Sequence, residues 1–281
     1  MTQTFGIFYI VSTPIGNRDD ITLRALTVLK TVDLIAAEDT RHSRPLLQHY
    51  GITTPLISLH HFNEHARVPM LLAHLQAGKN IALISDAGTP LISDPGYILV
   101  GALCEAGITL CPIPGACAAI TALCASGLPT DHFVFAGFLP SQPTARQKKL
   151  STFLKTTSTM ICYESPHRIL DCAKDISAIF GQNHAVVFAK ELTKHFETFF
   201  RGTAQAACIW LAENPDHQKG EFVVIIQGIP KTKTAVDTEE TQRILSILSD
   251  ELSSKQAIAL AEKITGMPKN KLKEMQFGQK N

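Results

Sequence analysis

At 281 residues the chain exceeds one minimal domain and leaves room for about two. Its composition, 45% apolar and 18% charged with 17 Gly and 15 Pro, is ordinarily globular and excludes disordered, collagenous and coiled-coil classes. Lys and Arg number 26 against 25 Asp and Glu, so the net charge is only +1 and an anionic partner must be met by a local patch.

In chain order, Phe5–Val11 predicts a buried strand, then a turn over Ser12–Asn17 and a helix capped by Asp19 or Asp20 with Ile21, Ala25, Val28, Leu29 and Val32 on its apolar face. Strands are expected at Leu34–Ala37, Leu56–Leu59 and Asn80–Ser85, with a helix Glu64–Ala77 stopped by Gly78. After the loop Asp86–Gly96, Asp94 and Pro95 read as cap and first residue of a helix that Gly107 closes. Strand Ile108–Pro112 and a small-residue helix, Gly115–Ala125, complete the set. Such alternation implies a mostly parallel, twisted sheet covered on both faces.

The composition breaks at Gly127-Leu128-Pro129, which sets domain limits of 1–128 and 129–229. The second α/β set has strands at His132–Gly137, Thr159–Tyr163, Ala185–Ala189 and Glu221–Gln227. Its helices are expected at Thr144–Lys155, Pro166–Phe180 and Thr203–Ala212. A linker, Pro230–Ala235, opens a third part, 230–281. There Glu239–Leu252 is helical, Ser254 caps Lys255–Thr265, and Gly266-Met267-Pro268 turns the chain into a basic helix, Lys269–Phe277, in the manner of a helix-turn-helix. From Lys255 onward six Lys, Lys280 included, face two Glu.

No apolar run approaches the roughly 18 residues of a membrane span, and no basic-then-apolar leader opens the chain. Neither a membrane nor secretion is expected, and the location expected is cytoplasmic. The seven Cys form no CxxC pair and have no His at zinc spacing, so buried, reduced thiols and no metal are expected.

In open α/β sheets ligands sit beyond the carboxyl ends of strands, so the chemistry is sought in those loops. Gly16, in Thr13-Pro14-Ile15-Gly16-Asn17, lets the backbone approach a ligand, although the three-glycine dinucleotide fingerprint is missing. Asp86–Gly96 holds two Asp, two Gly and two Pro in eleven residues, more rigid backbone than a plain turn needs, and points to ligand contact. Within it Asp94 alone reads first as a helix cap. Pro112–Ala116 opens the small-residue helix, whose side chains permit close approach of a helix or a cofactor. Tyr163–Arg168 and Lys190–Thr193 gather charge at strand ends, together suggesting a substrate face. Glu38–Arg44 is a solvated loop or a phosphate site built on Arg41 and Arg44. Arg146, Lys148 and Lys149 form a basic run that faces water or tracks a nucleic-acid backbone. There is no GxSxG, P-loop or HExxH, which leaves covalent hydrolases, nucleoside triphosphatases and zinc proteases unsupported.

In combination, the runs Tyr9–Thr22, Ala37–Arg41, Ser85–Tyr97, Pro114-Gly115, Tyr163–Arg168 and Lys190–Lys194 resemble the ribosomal RNA small subunit methyltransferase I family. That family lies within the tetrapyrrole-methylase-like (class III) methyltransferases. The resemblance covers about Phe8–Gly228, and the tail is similar to that family's C-terminal extension. It implies two α/β domains with a cofactor cleft between them, plus a small helical extension. It also implies a homodimer that uses S-adenosylmethionine to methylate the ribose 2′-oxygen of a cytidine in the decoding region of 16S rRNA, with the small ribosomal subunit as substrate. Carried over, the donor contacts are Ile15, Gly16, Asp86, Gly88, Thr89, Pro90, Ile92, Ala116, Cys117, Tyr163, Ala189 and Glu221. Ser12–Gly16 replaces a glycine-richer turn of the tetrapyrrole enzymes, and Asp86–Gly96 replaces a short Gly-Asp-Pro, which weighs against a tetrapyrrole substrate.

A sugar hydroxyl needs an acceptor for its proton, and Glu191, Lys190 and Asp94 are the candidates. RNA would be held by Arg41, Arg44, Arg146, Lys148 and Lys149, with Lys269, Lys271 and Lys273 of the tail. The rival readings are a tetrapyrrole methylase and an RNA-binding assembly factor without turnover.

Overall fold

Apolar runs of strand length become the inner strands of two five-stranded sheets in the computed structural model, which describes residues 5–230 and 238–277. The linker residues 231–235 and Lys280 lie outside the described residues. The chain divides into two compact units, 1–229 and 230–281.

The first sheet comprises β1 (Ile7–Val11), β2 (Leu34–Ala37), β3 (Leu56–Ser58), β4 (Ile81–Ile84) and β5 (Thr109–Ile113), in the order β3-β2-β4-β1-β5. Every pairing is parallel. All four residues of β2 and of β4 are buried, as strands covered on both faces require. One face packs Val11, Leu29, Ile35 and Ile84 together, the other Phe8, Leu71, Leu83 and Leu99. The intervening helices are α1 (Leu23–Thr31), α2 (Thr40–His49), α3 (Glu64–Gln76), α4 (Tyr97–Glu105) and α5 (Ala118–Cys124). Thr22, rather than Asp19 or Asp20, caps α1 by accepting from the Ala25 amide at 3.1 Å. Asn17 caps a single 3-10 turn over those two aspartates.

The second sheet is built differently. It comprises β6 (Phe133–Phe138), β7 (Thr159–Glu164), β8 (Ala185–Lys190), β9 (Thr198–Thr203) and β10 (Phe222–Ile226), in the order β6-β7-β10-β8-β9. Only β6 and β7 are parallel; the other pairings are antiparallel. Strand β9 is not among the elements expected from the sequence, although Phe199 and Phe200 are strand formers. The helices α6 (Pro143–Ser151), α7 (Ile169–Phe180) and α8 (Ala204–Glu213) belong to this half. Helix α5 crosses over: its Ala119, Ala122 and Leu123 share a core with Ile161, Val223 and Ile225 of the second sheet. Close helix packing is thus what the small residues of α5 serve.

The C-terminal unit contains α9 (Thr238–Glu251), α10 (Ser254–Thr265) and α11 (Lys269–Phe277). Leu245, Ile258, Ala261, Met267 and Leu272 form its core, and Gly266 ends α10 in the left-handed conformation. Ser253, one residue earlier than expected, is the cap of α10.

All seven cysteines are unpaired. Cys162 and Cys172 are buried as expected, but Cys104 and Cys124 are exposed. Among the described residues no helix is long and apolar enough to cross a membrane.

Candidate active site

The loops that follow β1, β4 and β5 are tied to one another. Thr13 and Gly88 exchange backbone hydrogen bonds at 2.8 and 3.0 Å. The hydroxyls of Ser12 and Thr89 lie 2.9 Å apart, and Thr89 donates to the Ala116 carbonyl at 3.0 Å. Gly88 has φ +82°, a conformation that favours glycine, and a Cβ there would make ordinary contact with Ile15 Cγ2 at 3.4 Å. Leu91 and Ser93 have φ of 72° and 75°, a strained backbone for side-chain-bearing residues.

This assembly forms one wall of a cavity of about 450 Å³. Ile15, Asp86, Gly88, Thr89, Ile92, Asp94 and Cys117 line it from the first half of the unit, and Tyr163 and Glu221 from the second. Glu38, Ser93, Glu164 and Leu192 also line it and lie in loops that the sequence singles out, though not among its named contacts; Phe138 lines it from outside those loops. Glu38 directly follows β2, so the strand-end rule reaches it, but its charged neighbours read as a solvated loop or a phosphate site.

Asp94 is not the cap of α4. Gly96, at φ +125°, occupies that position, and the Leu99 amide donates instead to Oε1 of the buried Glu64 at 2.9 Å. Asp94 is left facing the cavity, its carboxyl pushed up to about 6. Burial is the main cause; the nearby Glu38 and Asp86 carboxylates add to it, while a Ser85 hydrogen bond and His61 oppose it. Burial also holds the Tyr163 phenol well above the ordinary value, and its oxygen accepts from the Ala119 amide at 3.3 Å.

The other two proton-acceptor candidates are turned elsewhere, and neither lines the cavity. Lys190 is buried and its Nζ donates to the Asp216 carbonyl at 2.6 Å. Burial alone would raise the Glu191 carboxyl, but the Glu221 amide at 2.9 Å and Lys194 Nζ at 3.0 Å hold it below the usual range. Gly16, Pro90, Ala116 and Ala189 are also off the cavity surface. Gly16 serves a different contact: a Cβ there would come 2.8 Å from the Leu192 carbonyl and 2.7 Å from Thr193 Oγ1. Ala189 packs in the core shared with α5.

The basic candidates divide in the same way. Arg146 is 2% exposed, and its Nε meets Asp175 Oδ2 at 2.6 Å, so it cannot track an RNA backbone. Lys148 and Lys149 are exposed. Arg41 and Arg44 are exposed on α2, not on a loop. Asp39 caps that helix and pairs with Arg41 at 2.8 Å, which holds the Asp39 carboxyl well below the usual range. In the C-terminal unit a hollow of about 410 Å³ is lined by Ser254, Lys255, Ile258 and Ala259 of α10 and by Lys269 and Lys273 of α11. Lys271, exposed on α11, is outside it.

Two α/β halves closed over a cleft at their strand ends define a tetrapyrrole-methylase fold, and the profile of the Tetrapyrrole (Corrin/Porphyrin) Methylases matches residues 8–208. The profile of the RsmI C-terminal HTH domain matches residues 235–272. The chain is 50% identical to the ribosomal RNA small subunit methyltransferase I of Haemophilus influenzae over 99% of its own length and 98% of the relative's. It is 51% identical to the enzyme of that name from Escherichia coli O157:H7, covering 95% and 93% of the two chains. Among solved structures, the uroporphyrin-III C-methyltransferase of Thermus thermophilus complexed with S-adenyl homocysteine superposes with a TM-score of 0.54 at 17% identity, covering 79% of this chain and 97% of that one. The chain belongs to the ribosomal RNA small subunit methyltransferase I family.

Proposed function

We propose that this chain transfers the methyl group of S-adenosylmethionine to the ribose 2′-oxygen of a cytidine in the decoding region of 16S rRNA. The small ribosomal subunit is the substrate, in the cytoplasm, and the working form is a homodimer of chains with lobes 1–128 and 129–229. Family membership supports rRNA methylation, and the structurally similar methyltransferase that holds S-adenyl homocysteine supports the donor.

The cleft fits such a donor. Its volume lies in the range of small-molecule sites. Apolar contacts from Ile15 and Leu192 suit a nucleoside, while Glu38, Asp86 and Asp94 complement a cation. The bound donor supplies an activated methyl group on a sulfonium. This chain's residues contribute orientation and a proton acceptor.

The observation that carries the reading is Asp94. It faces the cavity and is ionised at neutral pH, yet it is basic enough, with a carboxyl near 6, to take a hydroxyl proton as the oxygen attacks. Lys148, Lys149 and the tail lysines would position the RNA.

Purified protein, radiolabelled S-adenosylmethionine and small subunits lacking the modification test the proposal. Label is expected in a cytidine ribose of 16S rRNA. Binding to the subunit without transfer would leave an assembly factor, and a porphyrinoid spectral shift on mixing with tetrapyrroles would favour a tetrapyrrole enzyme.

A further inference from the structure

Phe138 stands out among the large side chains of the cleft because it combines a cavity position with wide exposure. It is 58% exposed, whereas the neighbouring Tyr163 is half-buried. Its placement is built into the backbone. The pairing of β6 with β7 is in register through Phe135 and shifts before Phe138, a bulge that re-aims the last side chain of an edge strand. Gly137 takes φ +65° within that bulge. The ring meets Tyr163 in an edge-to-face arrangement, with centroids 5.5 Å apart and planes at 65°, and keeps most of its surface exposed.

Gly137 also fixes what lies opposite. A Cβ at Gly137 would stand 3.6 Å from the hydroxyl of Ser93, the residue before Asp94. An aromatic ring and a proton acceptor that both line the cavity are thus carried by two adjoining backbone segments. A nucleotide offers complementary chemistry: a planar π-face joined by one glycosidic bond to the sugar that carries the hydroxyl. A methyl-donor nucleoside would instead be engaged by the enclosed wall at Gly88, Thr89 and Val223.

Resting on the proposed function above, we infer that Phe138 is the stacking platform for the base of the target nucleotide, and that the β6 bulge places that nucleotide's ribose hydroxyl at Asp94. The ring is a positioning residue. It supplies a sequence-tolerant π-contact, and recognition of the base edge falls to other groups.

Stacking of one base on an aromatic side chain corresponds to roughly 5- to 150-fold in affinity. Phe138→Ala is expected to raise KM for the small subunit about tenfold or more, with the dissociation constant for S-adenosylmethionine changed less than about twofold. Phe138→Tyr should restore KM, and Phe138→Leu, which keeps apolar bulk without a π-face, should not. A second readout does not need turnover. The chain has one Trp, so the difference in fluorescence between Phe138→Trp and the native protein reports on this site, and cytidine-containing RNA is expected to quench it.

The inference falls if KM is unchanged in Phe138→Ala or rescued by Leu. It falls equally if the donor's affinity drops in parallel, since the ring then serves the donor, or if Phe138→Ala changes the oligomeric state, since the ring then belongs to a protomer interface. Quenching by RNA in a protein that transfers no methyl would sustain the stacking role and overturn the proposed reaction instead.

Discussion

Asp94 is destabilising where it stands. Burial and two neighbouring carboxylates oppose its ionisation, with only Ser85 and His61 in compensation. The folded chain therefore retains the Asp94 proton up to about pH 6, whereas an unfolded aspartate releases it near about 3.9. Protonation favours the folded state here: that stability is complete below the unfolded value and is lost as pH rises through 6. Calorimetry should accordingly find Asp94→Asn more heat-stable than the native protein at pH 8, with the gap closing at pH 4. Methyl transfer should show the opposite demand, rising about tenfold per pH unit below 6 and levelling above it. Asp94→Asn is expected to lose on the order of 10²- to 10⁴-fold in rate. A sulfonium in the same cavity favours the ionised carboxylate, so donor uptake near pH 6 should release protons, read as a buffer-dependent heat that vanishes in the variant. Arg146 contrasts with Asp94, because its charge is spent inside the protein on Asp175 and on the Ser141 carbonyl. Removing one partner of a buried pair costs about 3–5 kcal/mol. Arg146→Ala should therefore shift the urea midpoint strongly downward and leave the salt dependence of substrate binding unchanged.

Each wall of the cleft is an element stiffened by strained backbone. Leu91 and Ser93 in one loop, and Glu191 and Thr193 in the other, adopt positive φ in the same alternate pattern. The Asn17 amide donates to Thr193 Oγ1 at 3.0 Å, which joins the two walls. Gly88→Ala should cost on the order of 1–3 kcal/mol in stability. It should also weaken donor uptake measured by calorimetry, because Gly88 lies on the cavity wall and its positive φ strains any side-chain-bearing residue. At this scale the sequence is legible wherever burial is two-sided. The continuous runs of β2, β4 and β10 announce inner strands, and the strand-end rule leads directly to the loops after β1, β4 and β7. Helix α2 is hidden because Pro45 lies inside it and its first turns are polar, with Arg41 and Arg44 among them. The direction of a side chain at a strand end is hidden too. Val187 and Ala189 face the core shared with α5 while Val186 and Phe188 face the opposite one. The period of two then puts Lys190 on the face of Val186 and Phe188, where its Nζ is taken up by the Asp216 carbonyl, a distinction that composition and spacing do not express.

Across the whole molecule a net charge of +1 means that attraction to RNA is concentrated in patches, and the C-terminal unit holds a compact one. Lys255, Lys269 and Lys273 surround its hollow, with the N-terminal turns of α10 and α11 contributing the positive ends of two helix dipoles. The unit's own core, centred on Leu245, Ala261 and Leu272, does not use these lysines, so their replacement should leave the helices folded. Each phosphate neutralised lowers the slope of log affinity against log salt by about 0.7 on single strands and about 0.9 on duplex. Lys269 already faces Glu262 at 3.3 Å and brings less free charge to a phosphate than its two neighbours. A Lys255→Ala, Lys269→Ala, Lys273→Ala triple variant of the full chain is therefore expected to reduce the salt slope of small-subunit binding by about 2. Donor affinity should be unaffected, since the carboxylates and glycines of the cleft lie in residues 1–229. Filter binding between 50 and 200 mM salt, roughly the window in which such contacts are most visible, measures the slope. A slope equal to that of the native protein would remove this hollow from the RNA path and return the electrostatic role to Lys148, Lys149 and Arg44.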